Sequence, residues 1–281
     1  MLARIRACSH AGQALGAALG AIVIALDQRT GYIAAIILNA ATFLIFAADI
    51  SRVPQVPPAP GHHAGPRMGA VRDVPFTTLA VICGVLCLCW GLMSTGFPLW
   101  IADDTHAPRA ISAAIVFAST LAIAARQTTF SRRSNTPSQA SKAALRAGLC
   151  LAASCVLLAI SSGPPTVPAI GLLLLAGASH ILGELFFVAA SKGFSIPLMN
   201  PDHPAEYQSV FAAGEALAIM LAPALMTAVI IPNHTTGWLA LATVFTLAGA
   251  AATPAARWAT AHHKHVRAHP ADQKADQPFS T

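Results

Sequence analysis

The stretch "FTTLAVICGVLCLCWGLMSTGFPLWI", Phe76–Ile101, decides the fold: it is 26 residues without one Asp, Glu, Lys, Arg or His. An α-helix needs about 20 residues to cross the hydrocarbon core of a bilayer. Seven more runs of apolar and small residues surround this one. They lie near Ala11–Leu26, Tyr32–Ile50, Ala110–Ala125, Ala147–Ile160, Pro168–Ala190, Val210–Ile231 and Trp238–Ala252. The shorter runs gain flanking Ala, Ser and Thr that can enter the interface. In lipid a helix satisfies its own backbone without closing into a barrel. The expected fold class is therefore an all-α membrane protein with about eight transmembrane helices.

Composition points the same way. The chain of 281 residues is 55% hydrophobic and only 10% charged, with a mean hydropathy of +0.61. In soluble domains charged residues make up about a quarter. Eight spans and their loops use nearly all of the length. A net charge of +6 and a pI near 9.3 raise nucleic acid as a partner. The placement of the charges argues against it, since no stretch interleaves bases with aromatics in a soluble module.

With the amino terminus inside, 15 of the 17 Lys and Arg residues fall on one side, and only Arg29 and Arg109 lie opposite. This is the positive-inside signature, which predicts a multi-pass protein of the plasma membrane with both termini cytoplasmic. The excess of base is then topological, with added attraction to anionic lipid heads. Arg4 and Arg6 before the first run also fit a secretory leader. No small-x-small site with a polar mature start follows, so the first span is expected to be retained. The six cysteines fall in or beside apolar runs, in neither a CxxC pair nor a zinc spacing, and read as small hydrophobes.

Two segments interrupt the pattern. Residues 51–74 hold Pro54, Pro57, Pro58, Pro60 and Pro66 and read as a cytoplasmic linker. Residues 127–142 form a second polar cytoplasmic connection. The expected organisation is two spans in residues 1–50, the linker 51–74, a six-helix unit in 75–256, and a disordered cytoplasmic tail in 257–281. The tail histidines His262, His263, His265 and His269 could bind metal, but a solvated basic tail is the simpler reading.

Particular residues carry a family likeness. They are the glycine ladder Gly12–Gly16–Gly20, "LNAATFLIF" at Leu38–Phe46, and the basic linker. Further on come "FPLWIADDTHAP" at Phe97–Pro108 and "GELFFVAASKGFSIPLMNPDHPAEYQSVFAAGEAL" at Gly183–Leu217. On these the chain resembles the last two-thirds of a major facilitator superfamily transporter, its eight spans matching family helices five to twelve. The resemblance implies a truncated major-facilitator-like bundle and secondary active transport of a small organic solute, multidrug-efflux-like. It departs from the family in lacking helices one to four and their Gly/Asp/Arg loop. Ser131–Arg132–Arg133 stands where a second copy of that loop would fall, without its aspartate. Ala17 follows Gly16 where antiporters carry proline, so the direction of transport is open. The segments "VFASTLAI" (Val116–Ile123) and "VFAAGEALAI" (Val210–Ile219) lie three spans apart, as nested three-helix repeats would place them.

Ionisable residues deep in the spans are few, and each costs about 2.5 to 3.5 kcal/mol there unless paired or hydrated. Glu184 lies two-thirds along the sixth span and Glu215 near the middle of the seventh. His180 precedes Glu184 by four residues and shares its helix face. Two readings stand: proton coupling or binding of a cationic solute, or a structural lock between Glu184 and Lys192 or Arg126. Trp90 is either core or an aromatic wall for a solute. Gly12, Gly16 and Gly20 read as a helix-packing stripe. Asn39 reads as a helix-to-helix hydrogen bonder. Gly91 and Gly96 bracket a break in the third span.

No catalytic motif, metal set or cofactor loop appears, so no enzyme activity, metal or cofactor is expected. The expected partners are the lipid bilayer, a small organic solute and protons, with no nucleic acid. An inactive transporter remnant and a membrane enzyme using His180 and Glu184 are the alternatives.

Overall fold

The computed structural model describes residues 28–53, 69–200 and 203–268, with side chains to 263, and positions 12, 15, 16, 19 and 23 of the first segment. Most of the first expected span, Gly20 included, most of the linker and the end of the tail lie outside these. The described elements are helical, with no strand among them. Two units separate between Pro66 and Arg67.

In the first unit, α1 (Arg29–Ser51) carries apolar side chains all round, and none of its residues is buried. Such a helix has no face that prefers water, which suits lipid on every side. It ends at Arg52, whose guanidinium pairs with Asp49 at 3.5 Å. Asn39 is exposed here. Gly12 and Gly16 are helical, and no described atom lies within 4 Å of the Cβ either would carry.

The second unit holds α2 (Gly69–Arg72), α3 (Val74–Asp103), α4 (Ala110–Arg132), α5 (Pro137–Ala159), α6 (Thr166–Ser195), α7 (Pro204–Leu225) and α8 (His234–Ala268). Among the described residues six helical stretches are long and apolar enough to cross a membrane, with α7 and α8 counted together as one run from Pro204 to His263. At about 1.5 Å per residue that run of 60 residues is far longer than one crossing. It folds back on itself. A π turn at Met226–Ile230 follows Pro223, a 3-10 turn at Ile231–Asn233 follows that, and His234 takes a positive φ of 46°. The start of α7 and the end of α8 then meet at one residue, Asp73. The seventh and eighth expected spans are thus separate antiparallel arms.

Local chemistry explains the ends. Asp73 caps α3, its side chain accepting from the Phe76 amide, with Pro75 in the first turn. Thr136 caps α5 in the same way, accepting from the Gln139 amide. The break expected between Gly91 and Gly96 is a π turn over Leu92–Gly96, after which Pro98 opens the last turns of α3. The core is aromatic at both ends: Phe76 packs edge-on against Tyr207 and Phe211, and Trp100 against Trp238 at 5.5 Å. The Trp100 indole donates to the Leu158 carbonyl at 2.9 Å.

The helical part of the tail is a correction to the sequence reading. Instead of becoming disordered at 257, α8 continues to Ala268, because Ala252, Ala255, Ala256 and Ala259 remain buried along one face. The linker is ordered at its end too, since the amide of Ala70 in α2 donates to Glu206 of α7 at 2.9 Å.

Asp73 ties three helices. Its Oδ2 accepts from the Tyr207 hydroxyl at 3.0 Å, and His263 Nε2 stands 3.1 Å away. Burial pushes the carboxyl upward, but His263, the Phe76 amide and Tyr207 outweigh it and hold it below the ordinary 3.8. The linked stabilisation is complete above that unfolded value and is lost as pH falls through the lower folded one. Thermal midpoints in detergent are expected to drop on acidification below 3.8. Asp73→Asn should lower the midpoint at neutral pH and flatten that acid limb; an unchanged limb would remove Asp73 from its cause.

Candidate functional site

On α6, positions 180, 184, 187 and 191 recur at helical spacing and so form one stripe. All four side chains, His180, Glu184, Phe187 and Ser191, are buried. The stripe faces α3, which supplies Trp90, and reaches α7, which supplies Glu215.

Glu184 is 8% exposed. Its Oε1 accepts from the Trp90 indole at 2.9 Å, and the Ser119 hydroxyl of α4 is a second donor. Trp90 in turn packs edge-on against Phe187 at 5.7 Å. His180 Nε2 lies 3.9 Å from Glu184 Oε2, beyond hydrogen-bond length, and the ring packs edge-on against Phe97 at 5.6 Å. The ring is fully buried, and neither nitrogen has a hydrogen-bond partner among the described residues. Buried polar atoms rarely stay unpaired, so this imidazole is poised to bond to whatever enters beside it.

The second carboxylate is held by the same helix. Ser191 donates to Glu215 Oε1 at 3.0 Å, two turns beyond Glu184, which is about 10 Å along α6. Cys87 of α3 touches the Glu215 backbone carbonyl through sulfur at 3.9 Å. Both carboxylates therefore lie along one stripe of α6, Glu184 in the seam with α3 and α4 and Glu215, from α7, beside α3.

The alternative reading of Glu184, a lock with Lys192 or Arg126, is not seen: no Lys or Arg lies within ion-pair distance of Glu184 among the described residues. Lys192 instead donates to Ser131 at 3.3 Å, and Gln127 reaches the same hydroxyl. No group of three or more His, Cys, Asp or Glu that could hold a metal occurs among the described residues. Trp90 is half-buried: it packs on Phe187 and donates its indole N–H to Glu184, a bond the sequence reading had not anticipated.

Ser119, Ser191 and Phe187 were not singled out from sequence. Ser191 and Phe187 were readable as the continuation of the His180–Glu184 face. Ser119 carries no such signal, because a serine in an Ala-rich helix usually bonds its own backbone.

Comparison with family models, curated proteins and solved structures finds no match to this chain.

Proposed function

We propose that this chain is a proton-coupled secondary transporter of a small organic solute, of the major facilitator type and multidrug-efflux-like. The observation that carries the proposal is Glu184: a buried carboxylate held by the neutral donors Trp90 and Ser119, with, among the described residues, no Lys or Arg beside it and an imidazole 3.9 Å away that has no hydrogen-bond partner. A carboxylate compensated by a permanent cation stays charged. One held by neutral donors in apolar surroundings can take up and release a proton as its hydration changes. Glu215 of α7, held by Ser191 two turns along α6 from Glu184, offers a second site, and Trp90 with Phe187 gives an aromatic wall for the solute. His180 would relay between Glu184 and solute or water.

The matching arrangement is eight crossings in the plasma membrane with both termini cytoplasmic. Sidedness reporters fused after Asp104 and after Asn135 should report opposite sides, because α4 separates them; the same side at both would overturn the topology. Transport itself is tested in proteoliposomes holding this chain, or any longer natural form that contains it, with lipophilic organic cations and neutral solutes under an imposed proton gradient. Solute movement that collapses when the gradient is dissipated supports the proposal. No movement of any solute would favour the inactive form.

A further inference from the structure

At the basic end of the second unit, α4 and α5 both pack on α6 and scarcely on each other, which leaves a crevice floored by α6. Phe186 of α6 lies in it. Phe130 of α4 meets that ring edge-on at 5.0 Å, and the Arg146 guanidinium of α5 sits over it at 5.8 Å. This stack fixes which flank of each helix faces the crevice. On α4 the buried stripe is Ile115, Ser119, Ile123 and Gln127, and Phe130 lies on one flank of it. Arg126, four residues before Phe130, shares that flank. On α5, Lys142 lies four residues before Arg146 and shares its face.

Arg126, Lys142 and Arg146 are all exposed, and no carboxylate pairs with any of them among the described residues. Their level is informative. Arg126 directly follows the apolar run 110–125, and Arg146 directly precedes the run 147–160. On two antiparallel neighbours, both guanidinium groups thus stand where hydrocarbon gives way to headgroups. Guanidinium matches a phosphate diester with paired N–H donors, and the Phe186 ring holds the Arg146 guanidinium over it by a cation–π contact. The half-buried Phe130 and Phe186 rings below offer an apolar bed that a free anion would not use.

We propose that the α4–α5 crevice, lined by Arg126, Lys142 and Arg146 over Phe130 and Phe186, seats the phosphate headgroup of an anionic phospholipid. The seat is separate from the Glu184 seam and does not depend on the transport reading.

Native mass spectrometry of the full chain, released from detergent with phosphatidylglycerol and phosphatidylcholine at equal concentration, tests it. Phosphatidylglycerol should be retained preferentially, and losing both guanidinium groups in Arg126→Gln/Arg146→Gln should cut that preference about thirtyfold. Arg146→Lys, which keeps the charge but not the paired N–H donors, should fall between. Lys142→Gln, at an exposed position that folding tolerates, should lower the preference about fivefold, which keeps the test available if the double variant is unstable. Arg109→Gln, from the α3–α4 connection at the opposite end, should leave it unchanged. Equal retention of the two lipids overturns the proposal, as does an undiminished preference in Lys142→Gln. An equal loss in Arg109→Gln would mean general charge attraction and also overturns it. Complete displacement of the lipid by inorganic phosphate would assign a free-anion site instead.

Discussion

Glu184→Gln is expected to leave the protein folded and inserted while proton-driven transport per molecule falls by more than about tenfold, the equivalent of about 1.4 kcal/mol in the coupled step. The fold should survive because every donor at the site is neutral. The Trp90 indole, 2.9 Å from Oε1, can donate to an amide oxygen as well as to a carboxylate, and so can Ser119. The new amide N–H₂ would face His180 Nε2, which is 3.9 Å from Oε2 and has no partner among the described residues, so a small shift would let the two groups hydrogen-bond. Removing a carboxylate from apolar surroundings also relieves a desolvation cost, so thermal stability should hold or rise. Transport should fail all the same, because an amide releases no proton at any accessible pH. Glu215→Gln should behave alike, with Ser191 donating to the amide oxygen in place of Oε1. A structural ion pair would give the opposite pattern: a stranded buried cation, lost expression, and transport reduced only in proportion to protein. Normal transport per molecule in Glu184→Gln would remove Glu184 from proton coupling.

How much of this was legible in the sequence differs from residue to residue. The helices were, because lipid imposes one backbone solution on a long apolar run, and Phe76–Ile101 is such a run. The His180–Glu184 face followed from spacing alone. The partners of Glu184 were not readable, because Trp90 and Ser119 come from helices 94 and 65 positions away in a chain whose Ala-rich helices carry little register information. The tail was misread for a related reason. Arg257, His262 and His263 look solvated as a string, but the small Ala252, Ala256 and Ala259 are buried, and His263, on the same helix stripe as they are, finds Asp73. Small residues were read as packing surfaces at Gly12 and Gly16, where no described atom lies close. A denser stripe, Ala140, Ala144, Gly148 and Ala152, stands at four-residue steps in α5 and is buried throughout.

That stripe supports the second large effect. Gly148→Ala should destabilise the protein by about 1–3 kcal/mol, the usual cost of forcing extra carbon into a packed interface. A Cβ at Gly148 would run into the Phe245 carbonyl oxygen and come within 3.0 Å of the Gly249 Cα. Both obstacles are backbone, so no side chain can swing away, and α5 and α8 would have to separate. In lipid the loss is direct, because such helices associate through close packing without a hydrophobic drive. Gly171→Ala is the matched control. Its Cβ would meet no described atom within 4 Å, and relief of glycine's backbone entropy in a helix should add about 0.5–1 kcal/mol. Thermal midpoints in one detergent should therefore move in opposite directions for the two variants. Gly249→Ala should resemble Gly148→Ala, since its Cβ would stand 2.9 Å from the Ala144 carbonyl oxygen and 3.1 Å from the Gly148 Cα. The two glycines face each other across one contact, so the first methyl that parts the helices already makes room for the second. The double variant should then lose clearly less than the sum of the single losses, as expected for residues in direct contact. Strict additivity, or a Gly148→Ala protein as stable as the parent, would mean that α5 and α8 do not meet through these backbones.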